Sequence, residues 1–202
     1  MKSALITGAT AGIGAEYSRF LAEKGYNLIL VARDRKRLNE TARELSKRYK
    51  VKTEVLVADL SVPSQLKKVE QRVQDAKKPI SILVNNAGFG LNRAFSQSKL
   101  SDEADLLAVL VTAPMRLTHA ALAPMTAANS GTIINISSVA SWIAGGTYSA
   151  AKSYLTVLSE SLHTELKNTK VKIIAVCPGF THTDRKSTRT PVTRSSRMPS
   201  SA

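Results

Sequence analysis

The sequence is poor in cysteine and in long apolar runs. Cys177 is the only cysteine in 202 residues, which excludes an internal disulfide and makes a cytoplasmic location the default expectation. No uninterrupted apolar run reaches the ~18 residues that a membrane helix needs, and the short apolar start leads into a glycine-rich loop, unlike a signal peptide. His119, His163 and His182 have no metal-ligand spacing with each other or with Cys177, so no metal site is predicted.

Acidic residues are also scarce. The chain has 15 aspartates and glutamates against 29 lysines and arginines, which gives a net charge of +14. Such an excess invites interpretation as a nucleic-acid-binding protein. Five of the basic residues, however, fall in the last stretch, residues 185–202, and the others are spread along helix patterns. A solvated basic surface that suits an anionic small molecule is favoured, and nucleic-acid binding is the less favoured alternative.

Short aliphatic runs alternate with helical periods along the chain. Strands are predicted at residues 3–7, 27–32, 52–57, 80–84, 132–137 and 171–176. Helices are predicted between them, including a long one near 101–127 that Pro114 should bend or break, and one near 148–166. Continuous apolar runs are typical of strands that are buried on both faces. The pattern predicts an α/β fold, a doubly wound Rossmann-like parallel sheet, with ligand at the carboxyl ends of its strands.

A glycine-rich loop follows the first predicted strand and reads TGATAGIG over residues 7–14. Glycines there let the backbone turn tightly and approach a pyrophosphate, and the next helix offers free N–H groups and a positive dipole to the phosphates. The residues predicted to bind the cofactor here are Gly8, Thr10, Gly12, Ile13 and Gly14. A tight turn without ligand is the less favoured alternative, because a strand and a helix flank the loop correctly.

The end of the second strand bears on which dinucleotide is bound. NAD-binding proteins usually carry an acid there, which holds the ribose 2′-hydroxyl. Here that position is Ala32, followed by Arg33, and Asp34 comes one residue later, where it is expected to point away. A guanidinium makes forked, charge-assisted hydrogen bonds to phosphate oxygens. The sequence therefore predicts NADP(H) in preference to NAD(H), with Arg33 at the 2′-phosphate.

In their order along the chain, these and later motifs resemble those of the short-chain dehydrogenase/reductase family. The glycine loop is similar to the family's TGxxxGxG motif, NNAG at residues 85–88 to its NNAG, and YSAAK at residues 148–152 to its YxxxK. Each motif alone is modest, and their joint spacing is specific. The resemblance implies that Asp59 and Leu60 contact the adenine. It also implies that the cofactor site is lined by Asn86, Ala87, Gly88, Tyr148, Lys152, Pro178, Gly179, Thr181 and Thr183.

The same resemblance implies that Ser138, Tyr148 and Lys152 are catalytic. Tyr148 and Lys152 are four positions apart on a predicted helix, so they share a face. A free tyrosine, with a pKa of about 10, exchanges protons poorly near neutrality, and a neighbouring ammonium favours the phenolate. Tyr148 then serves as general acid or base, and Ser138 hydrogen-bonds the substrate oxygen. An ordinary surface pair is the alternative for an isolated YxxxK.

Two positions within the predicted domain depart from the family pattern. Leu110 stands where many members carry an asparagine that holds a water of the proton relay, and Thr112 or a carbonyl freed near Pro114 is a candidate substitute. Ser138 and the tyrosine are only ten positions apart, fewer than is common in the family. The resulting short loop carries Trp142, interpreted either as a wall of the substrate mouth or as a packed core aromatic.

A third departure concerns the carboxyl end. Residues 1–184 are predicted to form one dinucleotide-binding and catalytic domain with six strands, without the family's seventh strand and substrate segment. The sixth strand is then an exposed edge. Residues 185–202 are rich in Arg, Ser, Thr and Pro and are predicted to form a basic, disordered tail. An interaction tail and out-of-frame translation are both open interpretations of these residues.

The function predicted from these residues is NADP(H)-dependent interconversion of a carbonyl and an alcohol, by hydride transfer to or from a small-molecule substrate. One alternative is a cofactor-binding fragment with impaired catalysis. Another is a protein that acts through its basic tail. The resemblance further implies a homo-oligomer, formed through the long helix at 101–127 and the helix that carries Tyr148, and no membrane partner is expected.

Overall fold

The computed structural model describes residues 2–91 and 93–179, which form one parallel sheet with helices on both faces. The strands are β1 Ser3–Thr7, β2 Asn27–Ala32, β3 Thr53–Val57, β4 Ile82–Asn85, β5 Gly131–Ile136 and β6 Val171–Val176. The helices are α1 Gly12–Glu23, α2 Arg35–Tyr49, α3 Pro63–Val73, α4 Leu100–Leu107, α5 Ala113–Ala127 and α6 Gly146–Glu165. The predicted fold class is confirmed.

The strand order, β3-β2-β1-β4-β5-β6, determines where a ligand can bind. The chain winds outward from β1 to β3, and then returns to the centre to place β4 beside β1. The loops that leave β1 and β4 therefore run to opposite faces of the sheet and open a crevice at the carboxyl ends of these two strands. Both the glycine loop and the NNAG segment lie at this crevice.

Alternate residues of β1 serve the two cores of the protein. Ala4 and Ile6 pack on one face, in a cluster with Leu21 of α1 and Leu38 of α2. Leu5 points to the other face, in a cluster that includes Leu66, Leu117 and Ile133. Because successive side chains of a strand point to opposite faces, an uninterrupted apolar run is what a sheet covered on both sides requires.

The long helix is broken into three parts, as Pro114 predicts. A π-helical turn, Ala108–Thr112, separates α4 from α5, and the Ala113 amide donates to the Ala108 carbonyl. Proline has no N–H and cannot close the ordinary helical hydrogen bond, so the wider turn takes up the irregularity. By length and hydropathy alone, the segment Leu100–Ala127 could cross a membrane. Its buried side chains instead pack in the protein core.

α3 begins at Pro63, directly after Val62, without a capping side-chain bond. Proline is suited to the first helical position, where its missing N–H is not needed. At the other end of the described chain, β6 pairs with β5 alone among the strands described, and it presents Ile174 to solvent.

Candidate functional site

The glycine loop bends back on itself at the carboxyl end of β1. Gly8 and Gly12 have φ angles of +67° and +53°, which L side chains rarely adopt. Gly14 requires glycine for a different reason: a Cβ there would collide with the Gly8 carbonyl and the Asn86 amide. The first turn of α1 thus packs against the loop, and Gly12 and Ile13 line the crevice.

Asn86 fastens this loop to the end of β4. Its side-chain amide donates to the Thr7 and Gly8 carbonyls, at 2.9 and 3.3 Å. In return, the Thr7 hydroxyl oxygen accepts from the backbone N–H groups of Asn86 and Ala87, at 2.9 and 3.0 Å. The NNAG segment therefore fixes the shape of the glycine loop, and this is the contact that its spacing in the sequence could not show.

A cavity of about 360 Å³ extends from the loop towards the end of β2. The predicted cofactor residues among its lining are Gly8, Thr10, Arg33, Asp59, Leu60, Ala87 and Gly88. The Arg33 side chain is 73% exposed and lies 3.6 Å from the Asp59 carboxylate. Burial alone would raise the pKa of the Asp59 carboxyl, but hydrogen bonds from Ser61 and the charge of Arg33 together lower it. The acid is ionised and leaves most of the guanidinium accessible.

Arg37 also lines this cavity, and the sequence analysis did not identify it. Its guanidinium donates to the Thr10 carbonyl at 3.0 Å. Asp34 also lines the cavity and caps α2 by accepting from the Arg37 amide at 3.1 Å, so it does not simply point away from the site. No local sequence pattern indicates this contact, because Arg37 and Thr10 are 27 positions apart.

A second cavity, of about 500 Å³, continues from the glycine loop across the end of β5. The three predicted catalytic residues, Ser138, Tyr148 and Lys152, all line it. So do the predicted cofactor residues Gly8, Gly12, Ile13, Asn86, Ala87, Gly88, Pro178 and Gly179. Gly14 packs beneath the loop, and Thr181 and Thr183 lie outside the described residues.

Lys152 is a buried cation, with only 5% of its surface exposed. Its ammonium donates to the Ile136 carbonyl at 2.7 Å and lies 5.7 Å from the centre of the Tyr148 ring. Burial lowers its pKa to about 8, against a smaller opposing effect of Cys177. The group thus carries a positive charge near neutrality at a cost to stability, which is typical of residues kept for function.

We expect Lys152→Met to raise the midpoint of thermal unfolding by about 3 °C at neutral pH, because an unpaired buried charge is removed. The sign follows from linkage. The folded-state pKa, about 8, lies below the ordinary value of 10.5, so the penalty is fully present below pH 8. It is relieved between about pH 8 and 10.5, because the folded chain releases a proton that the unfolded chain still binds. Melting curves of both proteins across this range should converge; a constant difference would contradict the assignment.

A cluster of hydroxyl groups supports the short loop after β5. The Ser137 hydroxyl bonds with those of Ser141 and Thr156 at 2.9 and 2.7 Å, and it donates to the Lys152 carbonyl. The Ser138 hydroxyl oxygen accepts from the Ala140 amide at 3.1 Å, which holds that side chain at the mouth of the second cavity. These bonds attach the short loop after β5 to α6.

Trp142 follows this cluster in the loop. It is 69% exposed, so its interpretation as a packed core aromatic is wrong. The paired glycines that follow allow α6 to begin at Gly146, where φ is +67°, two residues before Tyr148. The tyrosine is therefore carried in the first turn of the helix.

Leu110 lies in the π-helical turn and is fully buried, in a cluster with Leu106 and Ala151 that packs against Tyr148. A Cβ on Gly88 would lie 2.8 Å from a Leu110 methyl group and 4.0 Å from the Lys152 ammonium. An aliphatic side chain thus lies near Lys152, at the position where the family resemblance suggested an asparagine. Across residues 2–91 and 93–179, no group of three or more metal-ligating side chains is close enough to hold an ion.

Comparison with known proteins agrees with this geometry. The family model for short chain dehydrogenases matches residues 2–192. The chain belongs to this family. It is 34% identical over 191 residues to sulfoacetaldehyde reductase 2 of Chromohalobacter salexigens, covering 92% of this chain and 75% of that protein. It is also 34% identical to the ketoacyl reductase HetN of Nostoc, of whose length it spans 63%.

Solved short-chain dehydrogenase structures superpose closely on the chain. The enzyme from Sphingobium yanoikuyae in complex with NADPH gives a TM-score of 0.88 at 36% identity, over 91% of this chain and 73% of that one. The bulky-bulky ketone specific alcohol dehydrogenase of Comamonas testosteroni gives 0.86 at 37% identity, over 89% and 73%. The described part of the chain thus corresponds to the nucleotide-binding fold of these structures.

Proposed function

We propose that this short-chain dehydrogenase is an NADP(H)-dependent oxidoreductase that interconverts a carbonyl and an alcohol. The observation that carries the proposal is the second cavity. Its lining includes Ser138, which follows β5, Tyr148 and Lys152 of α6, and the glycine loop that follows β1. Proton-transfer groups and a phosphate-binding loop that share one cavity are suited to dinucleotide chemistry on a small substrate.

The residues present fit a dinucleotide. Gly8 and Gly14 stand where any side chain would obstruct the loop, and the amide groups at the start of α1 provide an anion-binding end for the pyrophosphate. The first cavity suits the adenosine half, beside Asp59 and Leu60, and the second suits the nicotinamide half, beside Pro178 and Gly179. Thr181 and Thr183 are proposed to complete the nicotinamide end. When bound, the cofactor supplies or accepts the hydride.

Two arginines favour the phosphorylated dinucleotide. Arg33 and Arg37 both line the first cavity, and Arg33 directly follows Ala32, the position at the end of β2 where an acid would select NAD. Guanidinium groups bind phosphate oxygens in a forked, charge-assisted geometry. Similar structures have been solved with NADPH or NADP, among them L-sorbose reductase of Gluconobacter frateurii and a metagenomic oxidoreductase.

Proton transfer is assigned to Tyr148. Its hydroxyl gives a proton to the substrate oxygen in reduction and takes one in oxidation. Ser138, held by its loop, donates a hydrogen bond to the same oxygen as negative charge develops there. The buried Lys152 ammonium, 5.7 Å from the tyrosine ring, stabilises the phenolate that reduction leaves behind. We propose a small carbonyl or alcohol as the substrate and a cytoplasmic setting for the reaction.

The test is titration of the purified chain with NADPH and NADH, followed by nicotinamide fluorescence, and then a panel of aldehydes and ketones. We expect NADPH to bind more tightly. Arg33→Ala and Arg37→Ala should each weaken NADPH binding about ten-fold and leave NADH binding nearly unchanged, since each removes a charge-assisted bond to phosphate. Arg35→Ala, on the same helix but outside the cavity lining, is the matched control. Equal losses for both dinucleotides would contradict the role of the arginines.

Binding of neither dinucleotide would contradict the proposed function itself. The two alternatives from the sequence make different predictions. A catalytically impaired fragment binds NADPH without turning over any carbonyl in the panel. A protein acting through its basic tail binds nucleic acid in a salt-sensitive manner that deletion of residues 185–202 abolishes. The relatives matched above are oxidoreductases by name, which supports the first proposal.

A further inference from the structure

The amino edge of the sheet, opposite the candidate functional site, holds a cavity of about 390 Å³, here called the amino-edge cavity. Its lining comes from the beginnings of β1, β2 and β3, from α3, and from the loop at 74–81 that leads to β4. It shares no lining residue with the two cavities of the functional site. A cavity of this volume is large enough for a small molecule.

The amino-edge cavity is strongly basic. Four of its lining side chains are basic, those of Lys52, Arg72, Lys77 and Lys78, and one is acidic, that of Glu54. The first cavity of the functional site, by comparison, is lined by two arginines and two aspartates. A concave surface with charge of one sign raises the local concentration of ions of the opposite sign. Part of the basic excess of the sequence is thus gathered at a cavity that the proposed function does not use.

Arg72 connects two sides of this cavity. Its side chain is only 12% exposed, and its Nε donates to both oxygens of the Glu54 carboxylate, each at 3.0 Å. Its Nη1 donates to the Lys78 carbonyl at 2.9 Å. Glu54 belongs to β3, whereas Lys78 belongs to the loop before β4. The guanidinium therefore fixes the loop against the sheet, and the shape of the cavity does not depend on a ligand.

The three lysines of the cavity lack an acidic partner. All three are exposed, and no carboxylate of residues 2–91 and 93–179 forms an ion pair with Lys52, Lys77 or Lys78. The acids nearest to them in the chain are engaged elsewhere. Glu54 pairs with the arginine, and the Asp75 carboxylate accepts from the Lys77 backbone amide at 2.9 Å, which helps to fix the loop. The lysine charges are thus left for an anion from outside the chain.

The lysines lie on two sides of the cavity. Lys52 directly precedes β3, and its amide donates to the Asn27 Oδ1 oxygen at 3.0 Å, whereas Lys77 and Lys78 precede β4. In the sheet, β3 and β4 are three strand spacings apart, or about 14 Å. A ligand with several linked phosphate groups can contact both sides and offer each ammonium its own oxygen. Lysine suits such a ligand, because its ammonium is a compact charge on a flexible stem.

The rest of the lining favours recognition of phosphate groups alone. None of the described residues that line the cavity is aromatic, so it offers no surface on which a nucleobase could stack. Leu28 and Ile29 also line it, but both are buried in the sheet. A single-stranded nucleic acid, whose bases need stacking surfaces, is therefore a poorer match to this cavity than a small polyphosphate.

We propose that the amino-edge cavity binds a small molecule that carries several linked phosphate groups. Lys52 binds it from one side and Lys77 and Lys78 from the other, while Arg72 holds the two sides together. This site goes beyond the proposed function and does not depend on it, because no residue of the cofactor cavities takes part. Since the lysines are exposed, the affinity should fall as the salt concentration rises.

The first test is calorimetric titration of the full chain with inorganic tripolyphosphate at about 0.15 M salt, with orthophosphate for comparison. We expect tripolyphosphate to bind at least ten-fold more tightly than orthophosphate. Lys52→Ala, and Lys77→Ala combined with Lys78→Ala, should each weaken tripolyphosphate binding about ten-fold, because charge-assisted bonds are lost. Lys68→Ala is the matched control, since this exposed lysine of α3 lies outside the lining. Equal affinities in the control and the other variants overturn the proposal, as does the absence of tripolyphosphate binding.

The second test locates the ligand, because a polyphosphate also suits the glycine loop and the basic residues 185–202. Amide NMR spectra of the full chain should show tripolyphosphate-dependent shifts at residues 52, 77 and 78. Shifts confined to residues 7–14 or 185–202 overturn the proposal. A single-stranded oligonucleotide that binds at the three lysines more tightly than tripolyphosphate also overturns it, in favour of a nucleic-acid surface. Failure to bind NADPH in a protein that shows the expected shifts counts against the proposed function alone.

Discussion

Replacement of Tyr148 by phenylalanine is expected to lower turnover by ~10²–10⁴-fold, because it removes the proton that general acid catalysis transfers. Only the hydroxyl oxygen is lost. The ring, which packs against Leu106, Leu110 and Ala151, stays in place, so the fold and the second cavity are preserved. NADPH should bind within about three-fold of the wild-type affinity, since one neutral hydrogen bond is worth ~0.5–1.5 kcal/mol. Steady-state kinetics with the best substrate of the panel, alongside a fluorescence titration, provide both numbers.

The matched control is Tyr154→Phe on the same helix, which changes a partly buried tyrosine outside both cavities. It should keep wild-type kcat. If Tyr148→Phe retained more than about a tenth of wild-type turnover, the role of proton donor would pass to another group. Ser138, whose residue lines the same cavity, would then be the residue to examine.

Gly14→Ala is expected to abolish NADPH binding and to lower the free energy of unfolding by ~1–3 kcal/mol, the usual cost of overpacking. The new methyl group would meet the Gly8 carbonyl and the Asn86 amide, both of which belong to the contact that shapes the loop. Displacement of the Gly8 carbonyl or of the Asn86 amide would distort the glycine loop, because the Asn86 amide donates to the Thr7 and Gly8 carbonyls. Dinucleotide titration and urea unfolding measure the two effects.

Gly25→Ala separates backbone strain from collision. Gly25 has a φ of +79°, yet nothing lies within 4 Å of the position its Cβ would take. Its substitution should cost about 1 kcal/mol of stability from the left-handed conformation and leave NADPH binding intact. Should both variants bind NADPH equally well, the glycine loop would not be the phosphate cradle. This pair therefore tests the cofactor site without any assumption about the substrate.

The strands and the order of the motifs were predictable because each depends on local pattern. β1, β2 and β6 have the bounds that the sequence pattern predicts. The cavities that unite the glycine loop, the NNAG segment and Tyr148 follow from parallel topology, in which all strand ends gather at one edge. The prediction of a parallel sheet was therefore enough to place Gly8 and Lys152 at the same edge of that sheet.

The features that escaped prediction depend on contacts between distant segments. Arg37 lies in the cofactor cavity because α2 returns over the glycine loop, a matter of helix direction. The hydroxyl cluster at Ser137 joins residues up to 19 positions apart, and no local pattern indicates it. Within the described residues, Asn85 Oδ1 is a buried oxygen without a hydrogen-bond partner, and no local pattern indicates this. Sequence patterns predict which face of a helix or strand is buried, whereas hydrogen bonds between distant segments are seen only in the three-dimensional structure.

The bonds that join Asn86 to Thr7 and Gly8 also bear on how the protein acquires its site. They connect positions 78–80 residues apart, so closing them carries the entropic cost of a long loop and requires β4 to be docked first. A nascent chain in which Asn86 has not yet been synthesised contains the glycine motif but lacks the bonds that fix the conformation of the glycine loop. The dinucleotide site should therefore form late in folding, after β4 has paired with β1.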